Sequence, residues 1–451
     1  MKRSLLILAL LLGVAATAAA QEQITLDKAI EIAIANNRSL KISRLGIENA
    51  DEQVREAYAS TLPSVTVNAR YTRNIESPVF YLPGQDGVTR PISIGSDNAL
   101  TTDLTVNQIV FNSAVFDGVG TSETYSKVSR QQLRQTTSEV VLNVKRAYYG
   151  ALLARDLLAV NEALLHNGED NYRQTAALAK AGLRAEFDAI RSEVQVSNQR
   201  PVVVQARNTY DIAIDNLKVV LGLKGDEPLS LGETLARPAS LGVVEPGVEE
   251  AQRILRENNP QLKSLELLSE VNRQLVKIKG ADFLPTVSFF GTWQYQAQAD
   301  NFGDLDFSPT AYVGLNVSYN IFNGYRSSAQ REQANILYQQ SQQQLEQVSM
   351  ALATQLSSTL RRINYARERI GSTDRTIDLA ERGYRIATTS YKAGTGTQLQ
   401  INDADLALAQ SKVNQLVAVH DYYVALAELE QLLGERFTVT GDNSDVKYSS
   451  R

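Results

Sequence analysis

The sequence predicts a mainly α-helical chain carrying four short β-strands, built twice from one plan. Three observations predict it. A short turn occurs twice, as Lys180-Ala181-Gly182-Leu183 and as Lys392-Ala393-Gly394-Thr395, each between two long helical runs. The two copies keep one register, 212 residues apart, far beyond the turns: Tyr172-Arg173 answers Tyr384-Arg385, Arg155 answers Arg367, Tyr210 answers Tyr422, and Leu221-Gly222 answers Leu433-Gly434. A run of matches in one register marks an internal duplication. Finally, four short stretches alternate apolar and polar residues, the period of a half-buried strand.

The chain opens with Lys2 and Arg3, an apolar run from Leu5 to Val14, and Ala15-Ala16-Thr17-Ala18-Ala19-Ala20. A basic head, a short apolar core and small residues read as a secretory signal peptide over 1–20. The sequence contains no cysteine, which excludes disulfides and a lipid-modified N-terminal cysteine. Lys+Arg number 45 against 50 Asp+Glu; losing Lys2 and Arg3 takes the net charge from −5 to −7. An acidic chain without a basic block argues against nucleic acid as a partner. With no cysteine and only His166 and His420, the composition argues against a zinc site or a Cys/His nucleophile. No carboxylate pair, phosphate loop or nucleophile motif stands out, so no enzymatic role and no cofactor is expected.

In the first half a helix is expected from Asp27, its N-cap, to Leu62-Pro63, where the proline stops it. Ser64 to Tyr71 alternates as a strand, with Val65, Val67, Ala69 and Tyr71 on its apolar face. Residues 74–98, punctuated by Pro78, Pro83-Gly84, Gly87, Pro91 and Gly95, read as an exposed loop. A second strand sets Leu104 and Val106 against Asp103, Thr105 and Asn107. From Asn112 a helical pattern runs to Gly182, long enough for coiled-coil packing over roughly 100 Å. The return arm, Leu183 to Leu221, is expected to bury Phe187, Ile190, Val194, Ile214, Leu217 and Leu221, and Pro201 to kink or interrupt it.

The second half repeats this plan. Ala251, Asn258-Asn259 and Leu262-Lys263 answer Ala29, Asn36-Asn37 and Leu40-Lys41, and Leu284-Pro285 answers Leu62-Pro63. The third strand carries Val287, Phe289, Trp293 and Tyr295 on one face; the fourth carries Val313, Leu315, Val317, Tyr319 and Ile321. Phe322-Asn323-Gly324 turns the chain into a glutamine-rich helix with a narrow stripe of Leu345, Val348, Leu352, Leu356 and Ile363. The organisation is therefore a leader over 1–20, a first repeat over 21–224, a Pro/Gly-punctuated linker over 225–247, a second repeat over 248–435 and a polar, unstructured tail over 436–451.

Four amphipathic strands cannot stay open in a bilayer, and four cannot close a barrel alone. If they span a membrane, several chains share one barrel, and three chains supply 12 strands and six helical hairpins. A soluble sandwich is the alternative that the alternation leaves open.

The order helix, Leu-Pro, strand, loop, strand, helix, written twice, and Ser390-Tyr391-Lys392-Ala393-Gly394-Thr395 followed by Asp403 resemble the TolC family of bacterial outer-membrane efflux proteins. The resemblance covers essentially the whole chain after the leader. It implies a homotrimer: a 12-stranded β-barrel in the outer-membrane lipid, continuing as a long periplasmic α-barrel, with the linker in its equatorial region. It also implies a passive exit duct of a tripartite efflux or type I secretion system, docking a periplasmic adaptor and an inner-membrane pump. Gly182-Leu183 and Gly394-Thr395 match the tip turns that dock the adaptor. Asp188 and Tyr391 match a contact that holds the tip closed, and Asp403 matches an acid of the periplasmic constriction. Gln400 stands where some members carry a second acid, and Gly396 where some carry a basic residue. Arg184 is a candidate to supply that cation from the other hairpin. On residue chemistry alone, Asp188 and Asp403 read as solvated helix acids and Tyr391 as a packing residue. Rival readings are a periplasmic coiled-coil adaptor or scaffold and a secreted adhesin or filament subunit; neither calls for duplicated strand pairs. The cargo, whether drug, metal ion, siderophore or polypeptide, is not written in the sequence.

Overall fold

A computed structural model describes residues 23–76, 78–83, 88–93, 95–238, 247–434, 436–437 and 448–449. The signal peptide expected over 1–20 lies outside the described residues. The chain divides into two compact units: Met1–Leu45, Gln131–Lys263 and Gln347–Arg451 form one, Gly46–Arg130 and Ser264–Glu346 the other. Each repeat contributes to both.

The second unit contains the sheet. Strands β2 (Ser64–Arg73), β5 (Asn98–Phe111), β7 (Thr286–Ala299) and β8 (Ser308–Ser318) pair antiparallel in the order β2-β5-β7-β8. The central pair, β5 with β7, joins the two repeats. At 14 residues each, these two strands exceed the roughly 9–11 that a tilted strand needs to cross a bilayer. Two expectations need correction here. The loop expected over 74–98 contains a hairpin, β3 (Val79–Pro83) with β4 (Thr89–Ser93). Its Val79-Phe80-Tyr81-Leu82 run favours strand, and Asn74 closes its base by donating from N and Nδ2 to the Asp97 and Ser96 carbonyls, each at 2.8 Å. The fourth strand begins at Ser308 and ends at Ser318, so Tyr319 and Ile321 fall in the connection after it. That connection turns through left-handed backbone at Gly324 (φ 66°) and Tyr325 (φ 64°) before the next helix begins.

The first unit is helical. It holds helix α1 (Leu26–Asn36), most of α3 (Ser113–Lys180) and of α7 (Arg326–Lys392), the returning α4 (Glu186–Leu221) and α8 (Gln398–Leu433), and α5 (Val248–Asn258). Helices α2 (Arg38–Ala59) and α6 (Pro260–Gly280) begin in it and continue in the sheet unit. Both long helices and both returns match the expected runs. Pro201 lies within α4 without interrupting it; the residue is exposed, so water can take the carbonyl that proline leaves free. Strand β1 (Gln23–Ile24) pairs parallel with β6 (Ser230–Leu231), which lies in the expected linker. In the tail, Arg436–Phe437 pairs with Tyr448–Ser449, a short antiparallel contact where no structure was expected.

The first helix is where local chemistry corrects the sequence reading most clearly. Its N-cap is Thr25, which accepts from the Lys28 N–H at 3.4 Å, rather than Asp27. The expected single helix is two, split at Asn37. The Asn37 Oδ1 accepts from the N–H groups of Ser39 and Leu40, capping α2, while its Nδ2 donates to the Val220 carbonyl at 3.3 Å near the end of α4. The second repeat rebuilds this joint. Asn259 Oδ1 accepts from Gln261 and Leu262, and its Nδ2 donates to Leu432 at 2.8 Å near the end of α8. Glycine completes both copies. Gly222 (φ 74°) and Gly434 (φ 69°) end α4 and α8 in left-handed conformation, packed on the carbonyls of Asn36 and Asn258. The core beside the joints is aliphatic and aromatic, with Tyr148, Leu217, Leu221, Leu255, Leu432 and Leu433 fully buried. Glu428, 6% exposed, lies between Arg146, at 2.6 Å, and Arg362, tying α3, α7 and α8 together.

Asn259→Ala strands the buried Leu432 carbonyl and uncaps α6, and is expected to cost about 1–3 kcal/mol. A Cβ at Gly434 would lie 2.7 Å from the Asn258 oxygen, against 3.1 Å at Gly222 from Asn36. Gly434→Ala should therefore lower the thermal midpoint more than Gly222→Ala, measured by circular dichroism on the detergent-solubilised protein.

Candidate functional site

The two hairpin turns start from the same geometry and then diverge. After α3, Gly182 takes a left-handed φ of 72°, and the Leu183 N–H reaches back to the Leu178 carbonyl at 2.9 Å. After α7, Gly394 takes φ 82°, and the Thr395 N–H reaches back to Ser390 at 3.0 Å. Both are glycine C-caps with a bond spanning five residues. Gly182, Leu183, Gly394 and Thr395 are all exposed, Leu183 at 70%. The return helices start differently. Helix α8 opens with a reciprocal cap: Thr397 Oγ1 accepts from the Gln400 N–H, and Gln400 Oε1 accepts from the Thr397 N–H at 3.0 Å. Helix α4 opens at Ala185 without a side-chain cap and places Glu186 and Asp188 in its first turn.

Tyr391 is the hub of the second turn. It is 3% exposed, and its hydroxyl is 2.9 Å from Thr175 Oγ1 on α3. Thr175, fully buried, donates its own hydrogen to Gln398 Oε1 at 3.3 Å, so Tyr391 is the donor to Thr175. The Arg184 guanidinium, from the first turn, stands 4.8 Å over the Tyr391 ring. Its Nη2 also reaches the carbonyls of Tyr391 and Gly396, both at 3.5 Å. Gly396 is buried, and a Cβ there would meet the Tyr391 nitrogen at 2.8 Å. The turn has no room for a side chain at 396, and the nearby positive charge comes from Arg184 instead.

The residues singled out from sequence are only partly brought together. Tyr391 bonds Thr175 rather than Asp188, whose backbone carbonyl accepts from Ser192 Oγ at 3.0 Å. Gln400 and Asp403 line one open groove on the exposed side of this region, with Gly383, Ile386 and Ser390. Gln400 also holds the α8 cap, a role its Thr-x-x-Gln spacing could have announced. Thr175 and Gln398 carried no signal, since the other repeat has a different residue at each matching position: Ala387 answers Thr175, and the exposed Glu186 answers Gln398.

Asp405, two residues beyond Asp403, is 6% exposed and accepts from Asn167 Nδ2 at 3.0 Å across the two hairpins. Burial raises its carboxyl above the ordinary range, against the lowering pull of the Asn167 bond and Lys412. A raised folded value means that this group's stabilising contribution is full at low pH and lost as pH rises through it. Asp405→Asn should therefore raise the thermal midpoint at neutral pH, and the gap should close below about pH 4, as thermal melts across pH would show.

The sheet offers the second candidate surface. Register places Val65, Val67, Leu104, Val106, Phe289, Trp293, Val313, Leu315 and Val317 on one face, crossing all four strands. These side chains are exposed or half-exposed; Val67 is 69% and Val313 75% exposed. Trp293 and Tyr295 meet edge-on at 5.2 Å on the same face. Asn68, Asp103, Thr105 and Thr292 occupy the other face, where Asn68 Nδ2 donates to Asp103 at 2.9 Å. A continuous apolar band backed by polar side chains suits lipid on one side and water on the other. No described helix is long and apolar enough to cross a membrane.

The same plan occurs in known proteins. The chain is 22% identical over 410 residues to the outer membrane protein TolC of Escherichia coli, covering 88% of this chain and 80% of that one. It is 24% identical over 343 residues to the alkaline protease secretion protein AprF of Pseudomonas aeruginosa, covering 75% and 70%. Among solved structures, the outer membrane protein VceC of Vibrio cholerae superposes with a TM-score of 0.76 at 17% identity, over 91% of this chain and 96% of that one. The family described as outer membrane efflux protein matches residues 29–223 and 252–435, one match to each repeat, and this chain belongs to that family.

Proposed function

We propose that three copies of this chain close a 12-stranded barrel in the outer membrane, and that their helical hairpins form a periplasmic duct gated at the tips. One observation carries the assembly: the four-stranded sheet has a predominantly apolar face and, among the described residues, two open edges. Among the described residues β2 pairs only with β5, and β8 only with β7. In lipid neither edge can stay open, so β2 of one protomer pairs with β8 of the next. The helices support the same reading. Phe187, Ile190 and Val194, expected to be buried, are exposed at 68%, 52% and 54% along one line of α4. Such a stripe suits the neighbouring protomer's helices.

As a member of its family the chain is a passive outer-membrane channel, not an enzyme. The tip turns Gly182-Leu183 and Gly394-Thr395 are the proposed docking points for a periplasmic adaptor, joined to an inner-membrane pump. Three chains with two unlike turns each offer six such points. The gate reading centres on the Arg184–Tyr391 contact. Because the guanidinium rests on a ring and two carbonyls, with no carboxylate partner among the described residues, salt should weaken this latch little. Asp188, Gln400 and Asp403 then act as a polar lining around the constriction, not as the latch.

Two experiments test this reading. The detergent-solubilised protein should run as a complex of three chains by native mass spectrometry; a monomer soluble without detergent contradicts it. Arg184→Ala, in planar bilayers, should shift the closed-to-open balance by roughly 2- to 30-fold toward open. Conductance unchanged from the parent protein would remove Arg184 from the gate.

A further inference from the structure

The face of the sheet opposite the apolar band is mostly polar, and two aromatic rings interrupt it. Phe290 of β7 and Tyr312 of β8 stand on it, ring centroids 6.3 Å apart and planes at 73°. Register explains how they meet: Phe290 is opposite Gly314 and Tyr312 opposite Thr292, so the rings are diagonal neighbours. Glycine makes the arrangement possible. A Cβ on Gly314 would lie 2.7 Å from Phe290 Cζ and 2.9 Å from Cε1, so the ring leans across β8 where any other residue would displace it. Phe290 is half-buried and Tyr312 is 49% exposed. The steep angle between them leaves an open corner, with the face of one ring beside the edge of the other.

We propose that this corner is a contact site for the aromatic rings of solutes, aromatic cations included, passing through the barrel. The proposal rests on the barrel reading above, which turns the polar face toward the pore. A flat ring entering the corner can stack offset on one aromatic side chain while meeting the other edge-on, the two arrangements that aromatic pairs prefer. A cationic ring system gains further from the negative ring faces. Ser288, Thr292, Thr310 and Asn316 around it supply hydrogen bonds but no competing ring. Cover for the Gly314 backbone accounts for Phe290. It does not account for Tyr312, which stands opposite Thr292 and not opposite the glycine. In a threefold assembly, three such corners stand at one level of the pore.

The test is block of ion current through the reconstituted channel by tetraphenylphosphonium added on the barrel side, with tetraethylammonium as the non-aromatic control. Tetraphenylphosphonium should block at lower concentration than tetraethylammonium. Tyr312→Ser, which leaves Phe290 over Gly314, should weaken the aromatic block by roughly three- to tenfold and leave the control unchanged. Tyr312→Leu keeps the bulk without the ring and should lose the same factor, separating ring chemistry from pore width. Equal block of parent and variants would overturn the proposal. So would a loss shared by both cations, which would report only a change of pore width. A protein that inserts but carries no current would fail the duct reading itself, and the proposal with it.

Discussion

The constraint on which the structure depends is the unsatisfied edge of a sheet. Every N–H and C=O along the outer sides of β2 and β8 needs a partner, and the apolar band across the same strands directs them into lipid, where water cannot serve. This sheet holds four strands and cannot curl closed alone. Assembly is therefore the condition under which this sheet can exist in a membrane. In the proposed trimer the helical part shares the symmetry of the strands, because both belong to one polypeptide.

Duplication explains what is alike in the two halves, and divergence explains what is particular. The Asn37 and Asn259 joints are the same device twice: an asparagine caps one helix with its oxygen and ties the end of another with its nitrogen. Gly222 and Gly434 keep left-handed backbone against the neighbouring carbonyl in both copies. Such positions repeat because their geometry tolerates few alternatives. The tips have separated instead. One return helix begins uncapped beside Arg184, and the other begins with the Thr397–Gln400 box beside Tyr391. The contact between Arg184 and Tyr391 uses that difference, since it joins one turn of each kind.

Sequence made the large features legible because they rest on periodicity and on glycine. The two long helices, the turns at Gly182 and Gly394, and the two-faced strands all follow from spacing that local physics reads directly. The failures have local causes. Asn37 splits a helix that its apolar spacing carries through, because a side-chain bond to Val220, distant in sequence, outweighs propensity. Val79–Pro83 and Thr89–Ser93 pair despite their prolines, since Pro83 ends a strand and Pro91 lies on a two-stranded ladder with an open edge. The stripe of Phe187, Ile190 and Val194 has the spacing of a buried face, but spacing does not say which chain covers it. At the proposed gate, Tyr391 and Gly396 were visible. Thr175 and Gln398 were not, because ordinary polar residues gain meaning only from what they touch.

The shared barrel is tested most directly by cross-linking its edges. The chain has no cysteine, so introduced thiols pair without background. Within one chain β2 and β8 are three strand spacings apart, about 14 Å, well beyond the reach of a disulfide. Asn68→Cys on β2, combined in turn with Thr310→Cys, Asn316→Cys or Ser318→Cys on β8, places both thiols on the polar face. Oxidation in outer membranes should yield covalent dimers and trimers at one of these registers. Monomers at every register, from protein that fractionates with the outer membrane, would contradict a barrel closed between chains.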